Sequence, residues 1–156
     1  YRSASATNLR NREIVEALAA HGRVAGDPVA ALELYTRQCS LSVTARDLAT
    51  MGATLADGGL NPVTRRQVVS QTVCRHTLAA MATAGLYETS GEWLHEVGLP
   101  GKSGIGGGIV TVSPGKGGLG TFAPLLDEAG NSVKGQHVAA FLSRMLGLDL
   151  FAADAV

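Results

Sequence analysis

Residues 98 to 118, GLPGKSGIGGGIVTVSPGKGG, constrain the architecture of this chain more than any other stretch. Up to that point apolar positions recur at helical spacing. Here Gly104, Gly106, Gly107 and Gly108 precede the β-branched run Ile109, Val110 and Val112, and apolar positions alternate through residue 126. That period of two predicts a β-hairpin over 104–126, with SPGKGG as its turn. Glycine inside a strand marks close approach by a ligand or another backbone, which suits the wall of a cleft. A phosphate-cradling loop needs its lysine at the far end of the glycines, opening a helix. Lys102 instead precedes them and a strand follows.

The helical part carries its own punctuation. RNREIVEALAAHG places Ile14, Val15, Leu18 and Ala19 on one face, with Gly22 as terminator. Asp27 is the expected N-cap of a second helix, with Pro28 at its first position. Thr44 and Asp47 form a capping-box pattern for a third, in which Leu48, Met51 and Leu55 share a face and Gly58–Gly59 end the run. Thr64 and Gln67 repeat the pattern ahead of a long helix over 70–84, with Val73, Thr77, Ala80 and Met81 inward and Gly85 as its stop. A short helix is expected around Trp93, and a last one over 131–147 with Val138, Phe141, Leu142 and Met145 inward. No internal repeat is visible. Helices, then a hairpin, then a helix define an α+β class with an antiparallel sheet edge.

Composition narrows the function. The 156 residues suit one compact domain or a large piece of a bigger one. Thirteen basic residues balance thirteen acidic ones, so the basic footprint of a nucleic-acid binder is missing. No apolar run reaches the ~18 residues that span a bilayer, and no signal-peptide pattern opens the chain. Cys39 and Cys74 lack metal-ligand spacing and read as buried, reduced thiols, while the four histidines are scattered. The expectation is a cytoplasmic protein without metal or cofactor, bound to neither membrane nor nucleic acid. The opening YRSASATNLRNRE, without an initiator Met, reads as the middle of something longer.

Three short motifs bear on chemistry. Ser113 to Lys116 match Ser-x-x-Lys, the nucleophile–base spacing of penicillin-recognising enzymes. That motif needs a helix to bring residues three apart together, and Pro114–Gly115 make this copy a turn. Lys102-Ser103-Gly104 matches the Lys-Ser-Gly that opens an active-site strand in the same class. Tyr35 and Tyr87 each sit near a helix end, where a phenol beside a lysine can relay a proton.

The segments LRNREI, LYTRQCSLSVTARDLATMGATLADGGLNPVT, MATAGLYETSGEW, VGLPGKSGIGGGI and PLLDEAGNSVKG run in order across nearly the whole chain. In them the sequence strongly resembles the C-terminal half of the serine-dependent glutaminases, members of the β-lactamase-like superfamily. The resemblance implies part of a β-lactamase/transpeptidase-like fold, and hydrolysis of L-glutamine to L-glutamate and ammonia through a serine acyl-enzyme. Asn11 matches a family asparagine that holds the substrate's amino-acid end. Tyr35 and Tyr87 match two tyrosines that touch substrate and assist proton transfer. Lys102 and Ser103 match the cleft-lining Lys-Ser-Gly, and the backbone N–H of Ile105 matches half of an oxyanion hole. The glycines then let a bare amide reach a developing oxyanion.

Two departures accompany the likeness. The family's own Ser-x-x-Lys lies upstream of the matching region. Where the family reads Ser-Glu-x-x-Thr, with the glutamate binding the substrate ammonium, this chain reads Ser3-Ala4-Ser5-Ala6-Thr7, and Leu9 replaces a common acidic residue. Residues 1–156 are therefore expected to be the C-terminal portion of one glutaminase catalytic domain, inactive alone and partnered by the N-terminal portion, as a homo-oligomer. The alternative is a catalytically inactive fragment or paralogue serving binding or assembly, and a third reading is a phosphate-binding module.

Overall fold

A computed structural model describes residues 1–152. They fall into two compact units, Tyr1–Ser42 and a second beginning at Val43.

The first unit is helical: α1 spans Arg2–Thr7, α2 Leu9–Ala20 and α3 Pro28–Cys39. The short α1 has no apolar period and escapes the sequence reading. At the end of α2, Gly22 takes φ +64° and Arg23 N–H reaches back to Leu18 O at 2.8 Å. This Schellman closure is easiest for glycine, which has no Cβ to clash in the left-handed region. At the start of α3 the Asp27 carboxylate accepts from Val29 and Ala30 N–H, and Pro28 forfeits a donor the first turn could not use. Asn8, between α1 and α2, donates through Nδ2 to Thr36 Oγ1 on α3 at 2.9 Å.

The second unit layers helices on a sheet. Its elements are α4 (Ala45–Ala56), α5 (Gln71–Ala84), a 3₁₀ turn (Tyr87–Thr89), α6 (Ser90–Val97), β1 (Gly101–Gly104), β2 (Gly108–Ser113), β3 (Gly117–Phe122) and α7 (Val133–Met145). The capping box of Thr44 and Asp47 forms in full, and Ser70 caps α5. The strands pair antiparallel in the order β1-β2-β3, with Lys102 opposite Val110 and Val110 opposite Gly120. The β2–β3 hairpin turns at Pro114–Lys116 as read from the sequence. The strand added beyond that reading is β1, whose four residues GKSG offer no alternating apolar signal and are held by pairing with β2 across a short turn.

Side chains alternate across a strand, and this sheet uses both faces. Toward α4 it presents Val110, Gly118 and Gly120. A Cβ added at Gly118 would lie 2.2 Å from Ala53 N, and one at Gly120 2.2 Å from Ala45 O, so helix and strand meet backbone to backbone. Toward α6 and α7 it presents Ile109 and Leu119, which pack with Leu86, Trp93, Val97, Leu99 and Ala139. The Trp93 indole N–H donates to Leu99 O at 2.7 Å, so this buried ring has no stranded donor. The outer edge of β3, GGLGTF, meets no further strand among the described residues and carries no charge.

Five expectations are corrected. Thr64 and Gln67 do not cap a helix: Gln67 pairs in an isolated bridge with Leu60, and its amide donates to Gly58 O and Val69 O. On α5, Val73 is exposed and Cys74 takes the buried position, while Cys39 is an exposed thiol. On α4 the buried residues are Gly52 and Thr54, and Met51 is half exposed. On α7 the buried line is Gly135, Ala139 and Ser143; Val138, Phe141 and Met145 face outward. Small residues let a helix approach the sheet closely, so the small-residue line faces inward here and the larger apolar residues do not.

Candidate active site

In the first unit, Asn11 and Tyr35 line one shallow pocket of about 360 Å³ with Ile14, Leu18, Val24 and Leu32. Asn11 is one helical turn from Ile14 and Tyr35 one turn from Leu32, so α2 and α3 each bring a polar group beside an apolar wall. Asn11 Nδ2 donates to Asn8 Oδ1 at 2.5 Å, and Asn8 passes the connection to Thr36, next to Tyr35. Asn8 and Thr36 thus extend a hydrogen-bonded chain from Asn11 that no sequence motif marked. Tyr35 is 51% exposed. Ala4 lies exposed on α1, with a methyl where the resemblance places a carboxylate.

In the second unit, Tyr87, Lys102 and Ile105 gather on one open surface. Tyr87 takes φ +53°, one of two non-glycine residues in the left-handed region among the described residues. For a bulky residue this is strained and persists only when neighbours over-determine it. Ser90 Oγ accepts from Leu86 N–H at 2.9 Å and donates to Tyr87 O at 2.7 Å, which clamps the residue on both sides. The Lys102 ammonium sits 4.8 Å from the centre of the Tyr87 ring, within cation–π range. The same ammonium donates to Ser103 O. Partial burial holds the Lys102 pKa below the ordinary lysine range.

Strand alternation separates Lys102 from Ser103. Ser103 points into the core, 4% exposed, and its hydroxyl donates to Asn131 Oδ1 at 2.5 Å. It therefore supports the wall from behind, whereas the sequence places it on the cleft lining beside Lys102. Ile105, in the β1–β2 turn, is 76% exposed, and no carbonyl of the described residues accepts from its N–H. That leaves a backbone donor with no carbonyl partner, the kind of group an oxyanion hole uses. Gly130 adjoins both: a Cβ built there would lie 3.5 Å from Ile105 Cγ2 and 3.8 Å from Tyr87 Cε2. Burial pushes the Asp127 carboxyl up, but N–H donors from Asn131, Gln136, Gly130 and Ala129 outweigh it and hold the pKa below its ordinary value. Ser113 and Lys116 flank a tight turn with Gly115 at φ +73°, so this Ser-x-x-Lys is not on a helix. Among the described residues no three His, Cys, Asp or Glu side chains converge as metal ligands, and no helix is long and apolar enough to cross a membrane.

Comparison with known proteins bears on the family and the fold. The Glutaminase family model matches residues 1–151. Glutaminase 2 of Yersinia pestis is 68% identical over 154 residues, covering 99% of this chain and 45% of the relative. A glutaminase of Colwellia psychrerythraea is 46% identical over 151 residues, covering 97% of this chain and 49% of its own. Among solved structures, the probable glutaminase ybaS superposes with TM-score 0.94 at 46% identity, over 97% of this chain and 49% of that one. The covalent complex of Bacillus subtilis glutaminase YbgJ with 5-oxo-L-norleucine, formed with 6-diazo-5-oxo-L-norleucine, superposes at 0.89 and 33% identity, over 96% of this chain and 54% of that one. The chain thus spans about half the length of its relatives, and its helices and three-stranded sheet are part of the β-lactamase-like glutaminase fold. With matching blocks, matching architecture and a family model covering all but the last few residues, this chain belongs to the glutaminase family.

Proposed function

We propose that this chain supplies part of an active site that hydrolyses L-glutamine to L-glutamate and ammonia through a serine acyl-enzyme. The serine and its lysine base belong to a Ser-x-x-Lys helix outside these 156 residues. The observation that carries the reading is the grouping of strained Tyr87, the Lys102 ammonium over its ring, and Ile105 beside the same Gly130, with a backbone N–H that no carbonyl of the described residues accepts. In the reaction, serine Oγ attacks the side-chain amide carbon and the carbonyl oxygen takes up negative charge, which the Ile105 N–H stabilises. The C–N bond breaks as the nitrogen gains a proton, with Tyr87 and Lys102 placed to pass it. Water then cleaves the ester, releasing glutamate and restoring the serine. The resemblance assigns Asn11 to the substrate's amino-acid end, and gives Tyr35 contact with the substrate and a part in proton transfer. The covalent complex of the Bacillus relative supports a nucleophilic route, because a diazoketone forms such an adduct by losing dinitrogen to a nucleophile.

A second reading, a binding or assembly role without turnover, is favoured by one observation, Ala4 in place of the ammonium-binding glutamate. One experiment separates the two. The chain is produced alone and also joined to the part of the Yersinia glutaminase 2 that it does not cover, and ammonia release from glutamine is measured. The chain alone is expected to be silent, and the joined protein active. A joined protein that folds and stays silent counts against the glutaminase reading. Recovery of activity by Ala4→Glu in that silent protein would favour the second reading for the natural sequence.

A further inference from the structure

We infer that Asn131 is the positioning residue that sets Tyr87 against Lys102, by tying together the three segments that form this surface. The inference rests on the reading of Tyr87 and Lys102 as site residues. Asn131 has no solvent exposure at all, yet its side chain is fully polar. Its Oδ1 accepts from Ser103 Oγ on β1 at 2.5 Å. Its Nδ2 donates to Thr89 Oγ1 at 3.0 Å and to Leu86 O at 3.4 Å, the residues that bracket Tyr87. Its own backbone N–H donates to Asp127 Oδ1 at 2.8 Å, and its carbonyl accepts from Asp127 N–H at 2.9 Å.

Each end of this amide has a distinct task. Leu86 O can only accept, so the nitrogen must face the 3₁₀ turn and the oxygen must face β1. The nitrogen therefore pulls on the backbone just before Tyr87, and the oxygen pulls on the residue just after Lys102. The residue before Asn131, Gly130, lies against the Tyr87 ring and Ile105. The bonds to Ser103 and Leu86 are buried and that to Thr89 is partly so, and losing one member of a buried bond leaves its partner unpaired, at a cost larger than the bond is worth. A network of this kind can hold Tyr87 at φ +53° because it ties the carbonyl just before the strained residue and the Thr89 hydroxyl just after it to one amide. Generic core polarity does not explain it: Ser143 is as deeply buried and simply donates to Val97 O at 2.6 Å.

The test uses the chain itself and reads position instead of turnover. With ¹³C-lysine labelling the chain gives signals from Lys102, Lys116 and Lys134 alone. The Lys102 ε-methylene signals should be displaced upfield by the Tyr87 ring. Asn131→Asp keeps the shape and the acceptor for Ser103 but removes both Nδ2 donations. The displacement is expected to fall by at least half in this variant, while β2 and β3 keep dispersed amide signals. Ser143→Ala, the comparison, is expected to lower the unfolding temperature and leave the displacement intact. A folded Asn131→Asp with unchanged Lys102 signals would overturn the inference, as would loss of displacement in both variants. If Asn131→Asp does not fold, Ser103→Ala replaces it with the same two outcomes. Failure of the glutaminase reading would appear in the ammonia assay and would leave these signals untouched.

Discussion

Tyr87 joins an unfavourable backbone to an exposed ring, a combination that stability alone does not select. Its left-handed conformation costs on the order of 1–2 kcal/mol for a residue with a Cβ, and glycine would remove that cost. Tyr87→Gly is therefore expected to lose no more than about 1 kcal/mol in urea unfolding, against about 3 or more for truncating an aromatic in a core. In the joined enzyme the same change should reduce turnover at least ~10²-fold, the contribution of a positioned proton-transfer group. A large stability loss with intact turnover would make Tyr87 a packing residue. Lys102 gives a pH signature. Partial burial lowers its pKa, so the folded chain holds that proton less tightly than the unfolded chain. Charged Lys102 then opposes folding at every pH below its folded pKa. The penalty fades as pH climbs from there toward the ordinary value of 10.5. Lys102→Met should be the more stable protein at about pH 7, with a margin that shrinks toward about pH 11. A margin independent of pH would show that ionisation is not its source. Tyr87 and Lys102 were singled out in the sequence because the resemblance attaches a role to each, whereas Asn131 lies in a matching block, PLLDEAGNSVKG, to which it attaches none. The place of Asn131 was not legible otherwise, because its partners Ser103, Thr89 and Leu86 lie far away in the chain and no local pattern points to them.

Elements with local instructions were legible and those with distant ones were not. Asp27, Thr44 and Ser70 cap their helices as their neighbours dictate. Thr64 and Gln67 show the same spacing, but Gln67 is claimed by Leu60 and Gly58 across a turn. The inward face of α7 was misread for a related reason. Hydrophobic periodicity finds an apolar face, but closeness of approach decides which face packs, and Gly135, Ala139 and Ser143 allow the closer contact. The contact between α4 and β3 is tighter still. Gly118→Ala and Gly120→Ala would each force a methyl to 2.2 Å from helix backbone. Neither helix nor strand can yield by turning a side chain, so each should cost about 1–3 kcal/mol or more. Gly117→Ala meets nothing within 4 Å and should be close to neutral. Thermal unfolding of the three variants checks the contrast, and equal behaviour would mean that the layers separate freely.

At the scale of the whole molecule, much apolar surface remains uncovered in a chain about half as long as its relatives. The outward line of α7 is one case: Phe141 is 55% and Met145 66% exposed. Contiguous exposed apolar surface favours association. The isolated chain is expected to sediment as concentration-dependent oligomers, and Phe141→Gln with Met145→Gln should move it toward monomer. A parent chain that is monomeric at all concentrations would contradict this. The bare outer edge of β3 has a separate consequence, for storage of the protein. An edge of six residues with neither charge nor proline has no gatekeeper against strand-on-strand stacking. Slow growth of thioflavin-positive material at high concentration should follow. Phe122→Lys, a charge at the exposed end of that edge, should lengthen the lag before it begins.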